Sequence, residues 1–376
     1  MTKRSTQIAV IGGGLQGLSA ALQLLLAGKQ VVILERRWVG RHASGATAAG
    51  VRTLNRDFRE LDLSLESMAM WPQLPQLVGD SCGFHAGGQI CVAQDEQALA
   101  KLQKRVNTLQ ARGYTHEELI SVDELRKIIP SLTGPCVGAS IARDNGSADP
   151  HRMLRAYRDG VEALGGQIIE QCGVQSLERV HDKWVVNTNQ GVWQVEHIVN
   201  TAGAWGAEVA AMVGDNFHIG TKSSMMMATE RMRPFINSVV SILGRSLSFK
   251  QSDQGTLIIG GGLQGVPDLE NETSTAKMSV LSKGARATTD LFPDLGGVRI
   301  VRVWSGLEAT TGDLLPIVGP ALNAPNFVHA FGFSGHGFQL VPVMGLVVRD
   351  LILEGKTKLP IDELLPTREL PEPQFP

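Results

Sequence analysis

Residues 7–36, QIAVIGGGLQGLSAALQLLLAGKQVVILER, hold Gly12, Gly14 and Gly17 in the spacing G-x-G-x-x-G, with an acid, Glu35, closing the stretch. That spacing is suited to binding a dinucleotide. Gly12 makes a tight turn, Gly14 lets the backbone approach a pyrophosphate, and Gly17 lets the next helix lie close to the strand. The N-terminus of that helix offers free N–H groups and a positive dipole end to an anion, and Leu15 and Gln16 of the turn are read as further cofactor contacts. Glu35 stands where a carboxylate accepts a hydrogen bond from a ribose 2′-hydroxyl.

The elements that must hold these residues are legible around them. Residues 7–11 form a short apolar run rich in β-branched side chains, the mark of a buried parallel strand. Residues 18–26 read as a helix stopped by Gly28, and 31–34 as a second strand that ends at Glu35. Arg36 and Arg37 follow at once. A lone glycine motif is often an ordinary turn; strand, helix, strand and acid in register make it a nucleotide site.

At 376 residues the chain is long for one core, so two joined domains are expected. An apolar content of 43%, 42 glycines and a net charge of -2 fit a soluble α/β protein. They give no basis for a nucleic-acid partner or an anionic membrane surface. Cys82, Cys91, Cys136 and Cys172 are widely spaced and form no CxxC, so neither zinc nor a cysteine-ligated iron–sulfur cluster is expected. Residues 8–27 are apolar enough to resemble a signal peptide or membrane span, but the glycines and the following strand argue against both. The expectation is a cytoplasmic chain with no transmembrane segment, reaching the inner membrane only through partners.

Several later stretches share the small side chains that allow close approach to a bulky planar or phosphorylated group. Residues 36–52, RRWVGRHASGATAAGVR, are one; residues 198–205, IVNTAGAW, form a strand and small-residue turn. Between them lie a helix over 57–79, a turn and strand over 84–93 and a charged helix over 96–112. Ser121 caps a helix that Pro130 ends, and Asp149 opens another. A hairpin follows to residue 195, and residues 246–251 and 256–262 form a strand pair. Near the C-terminus come residues 304–319, WSGLEATTGDLLPIVG, and 331–338, FGFSGHGF, where a strand ends and a helix begins near Gly337.

In this order, these motifs resemble those of the D-amino-acid oxidase superfamily, nearest its glycine oxidase, sarcosine oxidase and dimethylglycine dehydrogenase branch. The resemblance covers almost the whole chain. It implies an α/β fold: a Rossmann-like FAD-binding domain in pieces 1–80, 150–215 and 300–365. An α+β substrate domain built on an antiparallel sheet, 81–149 and 216–299, is inserted into it. A Pro-rich tail over 366–376, which lacks the apolar periodicity to form a core, is read as free or as docking on another subunit. It further implies that FAD meets Arg36, Arg37, Ser44, Gly45, Ala46, Thr47, Ala49, Gly50 and Val51 in the first loop. Val174 would lie by the adenine, with Ala202, Gly203 and Trp205 beside the cofactor. Gly306, Gly332, Ser334, Gly335, His336, Gly337 and Phe338 would surround the flavin. Some members attach FAD covalently through a histidine in W-H-A-A-G; Thr47 stands in that position here and His42 is out of register, which implies non-covalent FAD.

The same resemblance implies the reaction: flavin N5 accepts a hydride from a carbon bearing an amine, leaving an imine that water hydrolyses. The protein must orient that bond, keep the amine neutral and anchor a carboxylate, and needs no dedicated base. Glycine oxidase-like members anchor the carboxylate with an arginine in G-L-R-P, where this chain has Glu308. That departure argues against simple glycine and toward a larger secondary amino acid of opine, proline, hydroxyproline or sarcosine type. Arg302, Arg52 and Lys250 remain as anchors, and Glu308 and His336 as further pocket residues. The branch also implies partners, since its β subunits work beside chains bearing FAD, FMN or an iron–sulfur cluster. The readings are a catalytic subunit of a heteromeric dehydrogenase, a self-contained oxidase making hydrogen peroxide, and a non-catalytic flavin-binding subunit.

Overall fold

The computed structural model describes residues 3–375 and is built on two large sheets. The first has six strands, in the order Ile317–Pro320, Phe327–Phe331, His197–Asn200, Ile8–Ile11, Val31–Leu34 and Gln167–Ile169. All run parallel except Ile317–Pro320. Its inner strands are buried on both faces, as their largely apolar runs require, with His329 the buried polar exception in Phe327–Phe331. Helices Leu15–Leu26, Pro150–Ala163 and Gly337–Glu354 cover one face, with Phe58–Met70 packed outside the last. The hairpin strands Val174–Val180, Lys183–Thr188 and Gly191–Val195 cover the other, laying Trp184, Val186 and Trp193 on Ala9, Val32 and Phe327.

The second sheet has eight strands. Ile300–Thr310 forms one edge, followed by Gly220–Arg231, Thr256–Gly260, Arg245–Gln251, Val239–Ile242, Gln89–Ala93, Gly138–Ala142 and Glu118–Ile120. Pairing is antiparallel except between Val239–Ile242 and Gln89–Ala93. Helix Met278–Leu291 backs it through Leu281, Ala287 and Leu291, which join Phe249 and Phe292 in a separate core.

Four features differ from the sequence reading. The first helix starts at Leu15 rather than at 18, because Gly14 is extended and serves as its cap. The small-residue stretch contains a short helix, Ala43–Ala46, before a two-residue strand. Ile300–Thr310 falls in the part assigned to the nucleotide domain, yet it pairs along its length with Gly220–Arg231 in the second sheet. The tail, read as free or as docking on another subunit, lies on its own chain. Arg368 pairs with Asp313 at 2.9 Å, Leu370 packs on Ile317 and Phe331, and Pro371 O crowds Gly312.

Candidate active site

A cavity of about 660 Å³ runs from the glycine motif of the first sheet to the inner strands of the second. Its size suits a cofactor together with a small ligand. Gly12 sits at φ +107°, and a Cβ there would be 2.5 Å from Thr201 O. A Cβ on Gly17 would be 2.0 Å from Gly12 O, so the helix crosses the strand at a distance only glycine allows. Ser44 Oγ accepts a hydrogen bond from Leu15 N at 2.9 Å and ties the small-residue segment to the helix start.

Glu35 reaches back over the turn, accepting from the amides of Gly13 and Arg37, each at 2.7 Å. Burial pushes its carboxyl up, and these two amides oppose the rise. Arg36 stacks on Trp205 at 4.2 Å, and Trp205 in turn meets the ring of His42 at 4.9 Å. Burial, assisted by Arg41, brings the His42 imidazole down to about 4, so it is neutral near pH 7. Both arginines pair with Glu272, which comes from the turn between Val266–Asp268 and Thr273–Thr275.

Of the residues read as cofactor contacts, Gly12, Gly14, Leu15, Gln16, Glu35, Arg36, Arg37, Ser44, Ala46, Thr47 and Gly50 line the cavity. So do Val174, Ala202, Gly203, Trp205, Gly306, Gly332, Ser334, Gly335, His336, Gly337 and Phe338. Gly17, Gly45, Ala49 and Val51 stand behind this wall. Gly45 is needed for packing, since a Cβ on it would lie 2.2 Å from Gly40 O.

The pocket residues divide differently. Glu308 and His336 face the cavity, whereas Arg302 and Lys250 do not. Arg302 lies on the exposed outer stretch of its strand, 5.7 Å over the Trp304 ring. Lys250 turns its Nζ to Ala148 O at 2.9 Å, and burial brings its ammonium down to about 8. Arg52 does line the cavity; it donates to Leu54 O and has no carboxylate within ion-pair reach among the described residues. Burial, then the neighbouring Arg56, lower its guanidinium to about 10, which leaves it charged near pH 7. His336 places Nδ1 3.3 Å from Oε2 of the buried Glu60, and burial lowers its imidazole to about 4.

Lys222, Gln264 and Glu272 are among the wall residues that escaped the sequence reading. The alternation of Lys222, Ser224 and Met226 along one strand was a usable signal for the first. Nothing local marks Gln264 or Glu272.

Polar atoms on the wall fit a large polar ligand: Gln16 Oε1, Arg36 Nη2 and His42 Nε2 are buried without hydrogen-bond partners. A parallel sheet with this glycine turn, roofed by an antiparallel sheet, defines a dinucleotide-dependent enzyme of two-layered substrate pocket, and FAD fits its residues. The chain belongs to the DAO family of FAD dependent oxidoreductases, which it matches over residues 7–351. Among curated relatives, glycine oxidase of Bacillus licheniformis is 25% identical, with 95% of each chain covered. Sarcosine oxidase subunit beta of Rhizobium meliloti is 24% identical over 93% of this chain and 84% of its own. Among solved structures, L-proline dehydrogenase from P. horikoshii superposes with a TM-score of 0.90 at 26% identity, covering 97% and 98% of the two chains. Among the described residues no cluster of His, Cys, Asp or Glu could hold a metal ion, and no helix is long and apolar enough to cross a membrane.

Proposed function

We propose that this chain dehydrogenates an amino acid at the carbon bearing a secondary amine, as the catalytic subunit of a heteromeric dehydrogenase. The observation that carries this reading is Arg52, a charged guanidinium on the cavity wall with no carboxylate partner of its own. It is the anchor the substrate carboxylate requires, at a site where a charge-assisted bond is strong. Bound in the cavity, FAD supplies a hydride acceptor at N5.

The residues of the chain do the rest. The turn at Gly12 and the amides that follow it bind the pyrophosphate, and Glu35 the ribose. Helix Gly337–Glu354 turns its N-terminus to the cavity through Gly335, His336 and Gly337, where its dipole stabilises negative charge. Arg52 fixes one end of the substrate, which orients the C–H bond and shortens the search for a reactive pose. Thr47, in the place of an attaching histidine, is consistent with FAD held non-covalently. Glu308 replaces the arginine that glycine oxidase-like chains use, which favours a secondary amine over glycine; sarcosine and proline, in the names of two relatives, are such amines. The beta-subunit relative supports partner chains, and any FMN or iron–sulfur relay would reside on them.

A self-contained oxidase is the second reading, favoured by similarity to glycine oxidase along 95% of both chains. Anaerobic mixing with sarcosine, glycine, both prolines, hydroxyproline epimers and opines, read as loss of flavin absorbance, tests the amino-acid reading. Bleaching by a secondary amino acid is the expected result, and a yellow protein that no amino acid bleaches sinks it. Oxygen uptake during turnover then separates oxidase from dehydrogenase.

A further inference from the structure

Lys222 and Glu308 are direct partners in the register of the Gly220–Arg231 and Ile300–Thr310 strands. Both side chains reach the cavity beside the Gly335 turn; a Cβ on Gly335 would be 3.4 Å from Lys222 Nζ and 3.8 Å from Glu308 Oε2. The two charges are 3.8 Å apart, beyond hydrogen-bonding distance. Lys222 Nζ donates once, to Ser334 O at 2.8 Å, although an ammonium carries three N–H donors. Glu308 Oε1 accepts from Ser224 Oγ at 2.5 Å, while Oε2 receives no donor among the described residues. Gln264 gives its Nε2 to Ser224 Oγ at 3.2 Å, and its Oε1 is buried without a partner. One patch of wall therefore holds spare donors next to spare acceptors, and its net charge is zero.

We propose that this patch is a side-chain subsite that selects an amino acid carrying a hydroxyl group on its chain or ring. The inference rests on the amino-acid reading above and narrows its substrate class. A second carboxylate would gain from Lys222 but be repelled by Glu308, and a second ammonium would meet the reverse. A methylene would leave the spare N–H and oxygen atoms desolvated and unpaired, at roughly 1–3 kcal/mol each. A hydroxyl meets both needs, because its oxygen accepts from Lys222 Nζ and its proton goes to Glu308 Oε2. Sites built to bond a substrate hydroxyl reject the analogue that lacks it, by up to roughly 10⁴-fold or more. Lys222 and Glu308 keep 12% and 16% of their exposure, so water competes and a ratio on the order of 100-fold is expected.

The test mixes the full-length, FAD-loaded protein anaerobically with matched pairs, proline and 4-hydroxyproline in each stereochemical series. The rate constant of flavin bleaching and the dissociation constant from its saturation are read for each. The expected result is a hydroxylated member favoured about 100-fold in their quotient, with the ratio falling toward one in both Lys222→Met and Glu308→Leu. Native protein bleached equally by both members, or better by proline, overturns the subsite without any variant. So does a ratio that persists in both variants when they bind FAD and melt as the native chain does. Bleaching by sarcosine or an opine but by neither hydroxyproline leaves the amino-acid reading standing and rejects the subsite. If no amino acid bleaches the loaded protein, that reading falls and the subsite with it.

Discussion

Arg37 and Glu272 meet fork to fork across the cavity, Nε to Oε2 at 2.7 Å and Nη2 to Oε1 at 3.0 Å. Arg36 approaches the same carboxylate at 3.3 Å. The two arginines follow Glu35, whereas Glu272 belongs to a hairpin carried by the second sheet's part of the chain. The pair thus straps the two halves together at the cofactor end of the cavity. Glu272→Ala should speed FAD release by about 10-fold, the effect of losing roughly 1.4 kcal/mol. Recovery of free-flavin fluorescence after dilution measures it, and an unchanged or slower release would reject the strap.

Gly17 has no room for a side chain. A methyl group would press on Gly12 O at 2.0 Å, in the glycine turn, and on Thr201 Oγ1 at 2.8 Å, at the end of the neighbouring strand. Gly17→Ala should cost about 1–3 kcal/mol of stability and lower FAD occupancy with it. Thermal melts of the apoprotein, together with the flavin-to-protein absorbance ratio, check both effects.

Arg52→Met removes the guanidinium and keeps most of the side-chain length. Loss of a charge-assisted bond of about 1.5–3 kcal/mol should raise the substrate dissociation constant roughly 10- to 100-fold. An unshifted saturation curve for anaerobic bleaching would show that the carboxylate is held elsewhere.

FAD held non-covalently, as we propose, has a direct consequence. Acid or heat precipitation should leave the pellet colourless and all the flavin in the supernatant. Colour retained by the pellet would contradict the assignment based on Thr47.

Lys250 gives up its proton near pH 8 in the folded chain, against about 10.4 for a free lysine. Between those values the unfolded chain holds more protons, so stability rises with pH across the window. The penalty of burying the charge is complete below about pH 8 and relieved above about 10.4. Lys250→Met removes this dependence. Its stability relative to the native chain should fall by about 1–3 kcal/mol between pH 7 and pH 10, as urea titrations at each pH would record.

Much of the candidate cofactor wall was legible because its signals are local. The turn at Gly12, the close helix crossing at Gly17 and the acid at Glu35 lie within one βαβ unit, where spacing alone fixes geometry. The pocket was harder to read. Arg302 and Lys250 have the right charge, but the first lies on the exposed outer stretch of its strand and a carbonyl holds the second away from the cavity.

By itself, then, the sequence determined the parallel nucleotide-binding sheet, the small-residue segments around it and the order of the family motifs. Those features follow from conformational preferences over a few neighbouring residues. The tertiary structure alone decided that Lys222 faces Glu308, that Glu272 clasps Arg37 and that Arg52 lines the wall with no carboxylate partner among the described residues. These depend on register between distant strands and on how two units close over one cavity. No local periodicity encodes a contact between residues 235 positions apart.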